Sequence, residues 1–188
     1  MRSRSTRTLL ALAATLALIA VPAAQASAHE FKASAAGTIE GKQVGSQLFK
    51  VAAGNFECTK ATLKGSVLNG SQKTILETVK YGGCSFFGSS LTVTPAEYEF
   101  NAEGTVSLLN KVTMEDKTGA CHFTVGPASA IKSVAYKNLT GGLLESHLTL
   151  KGVPYTTSGG ICGPTTGGNL EAGGELEAGL ASGTIEWK

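Results

Sequence analysis

No arginine follows Arg7 in this chain of 188 residues. The body of the chain therefore lacks the planar fork that usually reads carboxylates and phosphates bidentately. One aspartate, Asp116, and three histidines leave little from which to build a hydrolytic triad. Asp116 also falls in a predicted tight turn, where a solvated turn-former is expected. No G-x-S-x-G elbow, G-K-[ST] phosphate loop or D-x-[DN] calcium loop occurs. The four cysteines, Cys58, Cys84, Cys121 and Cys162, are 26, 37 and 41 residues apart, so the close pairs of a zinc site are missing as well.

Long apolar runs are also scarce. The one candidate, Leu9–Val21, is 13 residues long and contains Thr15, short of the ~20 that span a bilayer. Arg2, Arg4 and Arg7 precede it. Pro22 and two overlapping A-x-A sites, Ala24–Ala26 and Ala26–Ala28, follow it. Basic, apolar, then small is the order of a secretory signal peptide. The pattern predicts a cleaved signal helix over residues 1–28, with the cut after Ala28 or after Ala26. It predicts one domain over residues 29–188, secreted to the outside, with no stable membrane anchor after cleavage. Loss of the leader changes the charge: 13 lysines face 13 glutamates and Asp116, a net charge of −1 against +2 for the whole chain. A near-neutral exported chain offers no basic face, which excludes nucleic acid as a partner.

Four cysteines in an exported chain read as two structural disulfides, with three possible connectivities. A turn at Asn69-Gly70 places residue 58 opposite about residue 81. The Gly82-Gly83 pair then bends the chain to bring Cys84 close. This favours Cys58–Cys84 and leaves Cys121–Cys162.

What the chain does have is glycine, 24 of them and all beyond residue 28, with threonine, serine, valine and leucine. Period-two alternation recurs. Val106, Leu108, Val112 and Met114 share one parity. Cys121, Phe123 and Val125 share another, as do Leu144, Leu148 and Leu150, and Ile185 and Trp187. In Leu91–Phe100 the apolar parity flips at Pro95, the mark of a bulge or an edge strand. Turn signals stand at Asn69-Gly70, Asp116–Gly119, Gly126-Pro127, Asn138–Gly142 and Gly163-Pro164. About ten strands spaced in this way predict an all-β fold. The expected architecture is an antiparallel β-sandwich, with a β-barrel as the alternative.

Constellations with chemical meaning are few. Ser129–Lys132 matches S-x-x-K and Lys117–Gly119 matches K-T-G, but the order is the reverse of the penicillin-recognising enzymes and no helix aims serine at lysine. Glu97/Glu99 and Glu175/Glu177 lie on single strand faces and read as solvated. The Gly-rich segment Ser158–Gly168 reads as a loop pinned by Cys162. Cleavage after Ala28 would expose His29 as an N-terminal copper chelator, with His122 or His147 completing the site. That arrangement resembles secreted copper-dependent polysaccharide oxygenases and periplasmic copper carriers. Cleavage after Ala26 removes it.

Several short motifs carry a family resemblance: His29-Glu30-Phe31, Gly41-Lys42-Gln43, Phe49, Gly54–Cys58, Ala61, Gly65, Tyr81–Cys84, Tyr98-Glu99-Phe100, Cys121–Val125 and Tyr155 through Cys162. Over most of residues 29–188 the chain resembles a group of exported β-rich hypothetical proteins of unknown function from high-GC soil actinobacteria. The resemblance implies a further cysteine pair in many members, near Ala96 and Glu115 of this chain. It implies no activity, substrate, cofactor or catalytic residue. The sequence thus predicts a secreted, non-enzymatic binding or structural module at or near the cell surface, with an extracellular partner or surface and no catalytic, metal or cofactor residues. The alternatives are a carrier of a small apolar ligand and the copper site at His29.

Overall fold

A computed structural model describes residues 28–132, 134–159, 162 and 168–188. Apart from Ala28, the predicted leader lies outside these residues, as do the Gly163-Pro164 turn and most of the loop over 158–168. Among the described residues every element is a strand. In chain order they are β1 (Phe31–Ala33), β2 (Gly37–Val51), β3 (Gly54–Val67), β4 (Gly70–Gln72), β5 (Thr74–Phe86), β6 (Ser89–Val93), β7 (Ala96–Asn101), β8 (Thr105–Leu108), β9 (Val112–Asp116), β10 (His122–Val125), β11 (Ala128–Lys132), β12 (Val134–Asn138), β13 (Leu143–Ser158), β14 (Gly168–Leu180) and β15 (Ile185–Trp187).

Eight antiparallel strands close into a barrel in the order β5-β3-β2-β14-β13-β10-β9-β6, with β6 returning to β5. Closure leaves this circuit without an edge. The all-β expectation holds, and of the two architectures expected the barrel is the one formed. β-Bulges bend its wall: the register shifts near Gly45 in β2 and at Gly152 in β13, where φ is 71° and 73°. An extra residue at such points adds the twist and bend that closing a sheet requires.

The remaining strands continue the same meander. One β5 register serves both β6 and β7, since Cys84 faces Leu91 and Val79 faces Ala96. They are one strand divided at Thr94-Pro95, where proline has no N–H to give the ladder. The outer partner divides at the same level. Val106/Leu108 and Val112/Met114 share a parity but lie on two strands, β8 and β9, with an extra residue at Leu109–Lys111. Asn110 fills that gap: its Oδ1 accepts from Glu97 N at 2.9 Å and its Nδ2 donates to Pro95 O at 2.9 Å. Gly126-Pro127, expected as a turn, separates β10 from β11 along one chain direction without reversing the chain. β13 pairs with β10 through its C-terminal half and with β12 through its N-terminal half.

The Asn69-Gly70 expectation also needs correction. β3 and β5 pair with Cys58 directly opposite Cys84 and Ser66 opposite Leu76. No bend at Gly82-Gly83 is needed to bring the cysteines together. Residues 68–73 form a wider connection, because Gly70–Gln72 is recruited as β4 against β1. Gln72 fixes this loop by accepting from Leu68 N at 3.1 Å and donating to Leu68 O at 3.0 Å.

β15, β1 and β4 form a small separate sheet that packs at one end of the barrel. Phe31 is fully buried and meets Tyr136 edge-on at 5.0 Å. Trp187 Nε1 donates to Ala102 O at 2.8 Å, and Asn138 bonds both the N–H and the C=O of Trp187. The other half of the barrel is filled by aromatics: Phe49 stacks on Phe56 at 4.5 Å, and Phe123 lies within 6.3 Å of Phe56, Phe86 and Tyr155.

Candidate functional site

The four predicted disulfide residues pair as Cys58–Cys84 and Cys121–Cys162. The first joins opposed residues of β3 and β5, with Cα atoms 3.9 Å apart. The second ties the start of β10 to the loop before β14, with Cα atoms 5.2 Å apart. All four are buried. Asp116 sits beside this second bridge. It forms the turn as expected, but it is buried rather than solvated. Its carboxylate accepts from Thr118 Oγ1 and, at 2.9 Å, from Cys121 N. These bonds, that from Thr118 foremost, hold its pKa below the usual carboxylate value.

The histidines are not brought together. His29 stacks on Trp187 at 4.4 Å. His122 pairs with Glu115 at 3.3 Å, and His147 with Glu175 at 2.9 Å. Among the described residues no three His, Cys, Asp or Glu side chains gather as a metal site. Ser129 lies on strand β11, while Lys117–Gly119 lie in the turn between β9 and β10. Glu97, Glu99, Glu175 and Glu177 face outward, as expected. Outward positions such as Glu40, Lys42, Lys50, Glu57 and Lys64 put charge where a lipid-facing barrel needs an apolar band.

The interior holds polar groups that the sequence reading did not identify. Tyr81 and Tyr98 share a hydroxyl–hydroxyl hydrogen bond of 3.2 Å. Burial pushes the pKa of both phenols up, that of Tyr81 further through the charge and bond of Tyr98. They therefore remain neutral and are no general base near pH 7. Gln43 donates to Gly45 O at 2.6 Å and Cys58 O at 2.8 Å, while its buried Oε1 has no partner. Glu77 is half-buried and faces inward with Ile75 and Val79. Burial raises its pKa to about 7. Burial also raises the phenol of Tyr136, and the Glu77 charge adds to the effect. The parity Ile75/Glu77/Val79/Tyr81 was the available signal for Glu77.

Beside the tyrosine pair lies a cavity of about 40 Å³, lined chiefly by Phe49, Phe56, Val93, Leu108, Val112 and Leu150. Ligand pockets usually hold ~300–1,000 Å³, and a cavity that admits benzene is about 150 Å³. Side chains, not open space, occupy this barrel.

At the opposite end from the small sheet, the β5–β6 turn exposes Phe87. Its φ is 47°, the one positive value at a non-glycine among the described residues. Two adjacent phenylalanines on an alternating strand require one to face outward, and Phe86 is the buried one. No protein-family model, curated protein or solved structure matches this chain.

Proposed function

We propose that this chain is an exported, non-enzymatic binding or structural module at or near the cell surface. It works through its outer wall and loops, and the barrel serves as a rigid scaffold. The observation that carries this reading is the filled interior, whose cavity of about 40 Å³ is too small for an ordinary ligand. Two buried disulfides fit an oxidising compartment outside the cell. A wet wall of Thr, Ser, Lys and Glu suits contact with a hydrated partner.

A second reading, a carrier of a small apolar ligand, draws support from barrel closure and from the apolar lining around the Tyr81–Tyr98 pair. It requires several lining side chains to move aside. The proposal is tested by expressing the full chain in an actinobacterial host and fractionating cells, envelope and medium. Non-reduced peptide mapping of the recovered protein then reads its N-terminus. The expected result is a chain beginning at Ser27 or His29, retained on the washed envelope. An intact leader on cytoplasmic protein overturns the proposal.

A further inference from the structure

Building on the reading that the barrel works from its outside, we infer that the tip of the β5–β6 hairpin is a docking site for a neutral polysaccharide, with Phe87 stacking on a sugar ring. Phe87 is 70 % exposed and lies in the left-handed region at φ 47°. Gly88 follows at φ 81°. Two successive positive φ values define the tight hairpin turn that Asn-Gly fills without strain. A bulky aromatic in this conformation is an outlier, and such outliers cluster at functional sites.

The ring is exposed, yet it is held. It lies over Gly54 at the facing β2–β3 turn, where an added Cβ would come within 2.7 Å of Phe87 Cζ. Its centroid is 4.4 Å from that of Phe86. The facing turn is tied down by Ala52 N–H donating to Tyr155 Oη at 2.8 Å. The Cys58–Cys84 bridge clamps the two strands just below. An aromatic surface fixed in advance loses little freedom on binding, which is the property of an anchor residue.

The surroundings select the partner. Asn55, Ser85 and Ser90 are exposed on the adjoining outer face and offer uncharged hydrogen-bonding groups. Charges of both signs flank this face: Lys50 opposite Asn55, Glu57 opposite Ser85, and Lys117 directly after Asp116, which faces Leu91 beside Ser90. Scattered charges of mixed sign give little steering to a polyanion or a polycation, and the groups next to the ring are themselves uncharged. A pyranose with equatorial hydroxyls presents a flat C–H face to the negative face of the ring. Its rim hydroxyls then meet the serine and asparagine groups.

The test is calorimetric titration of cellohexaose into the wild type, Phe87→Asn and Phe87→Trp, with thermal melts of all three. The expected result is binding by the wild type and by Phe87→Trp, and at least tenfold weaker binding by Phe87→Asn. Phe87→Asn loses the contacts with Phe86 and Gly54 but relieves the turn strain, so its melt should stay cooperative and lie near that of the wild type. Equal binding by Phe87→Asn overturns the inference. So does preference for heparin over cellohexaose. If Phe87→Asn stays on the envelope as firmly as the wild type, this site falls while the surface-binding reading stands. If the wild type is not retained either, both fall.

Discussion

Glu77 and Tyr98 are opposed cross-strand partners, and both point into the barrel. The glutamate sits among phenols, with Tyr136 also close enough to feel its charge. Burial raises its pKa from 4.5 to about 7. The folded chain therefore holds a proton that the unfolded chain releases earlier. Its contribution is fully present below about pH 4.5 and is lost as pH rises to about 7. The loss is on the order of 3 kcal/mol at most. Urea midpoints measured from pH 4.5 to 8 should fall across this window in the wild type and stay nearly flat in Glu77→Gln. Parallel curves for the two proteins would remove Glu77 as the cause. Asp116 has the opposite sign: its lowered pKa gives stability that is present above the usual Asp value and lost as pH falls.

The two disulfides close loops of 26 and 41 residues. Chain entropy alone assigns them about 3.5 and about 3.9 kcal/mol, a difference too small to resolve. Packing decides the order. Cys58 lines the interior cavity, so replacing that pair also enlarges a void. The Cys58→Ala/Cys84→Ala variant should lose more stability in chemical denaturation than Cys121→Ala/Cys162→Ala. Both native bridges should resist dithiothreitol until the chain unfolds, because all four cysteines are buried.

Tyr81→Phe or Tyr98→Phe removes one hydroxyl and strands the other in an apolar cavity. Each single change should cost about 1–2 kcal/mol. The double change removes both hydroxyls and should cost less than the sum. Additive losses in a double-mutant cycle would show that each hydroxyl has a separate partner.

Asn110→Ala should destabilise by about 1–2 kcal/mol. It frees Glu97 N–H and Pro95 O, which the asparagine amide satisfies where the meander breaks. Amide exchange should rise at Glu97 before it rises in β3 or β14. A uniform rise across the barrel would contradict this local role.

Strands were legible wherever one face is apolar. Phe123/Val125 sit in β10, with Cys121 just before it, and Leu144/Leu148/Leu150 sit in β13, and all of these residues are buried. Closure was not legible, because the return of β6 to β5 is a long-range pairing that no local pattern encodes. The parity flip at Pro95 was visible, but not that two halves of one strand keep a common register on β5. Gly126-Pro127 and Asn69-Gly70 were legible as breaks, but not the path the chain takes through them, for the same reason. Turn chemistry marks where a ladder breaks, while the partners decide whether the chain reverses there. Phe87 and Glu77 escaped because each breaks the simple rule for its residue type, an aromatic left outside and a carboxylate turned inward.

Native mass spectrometry of the protein, purified without denaturant, tests the filled barrel most directly. The account predicts a single species at the mass of the polypeptide, less the hydrogens lost in forming two disulfides. A small apolar molecule retained under gentle ionisation and released on activation would contradict it.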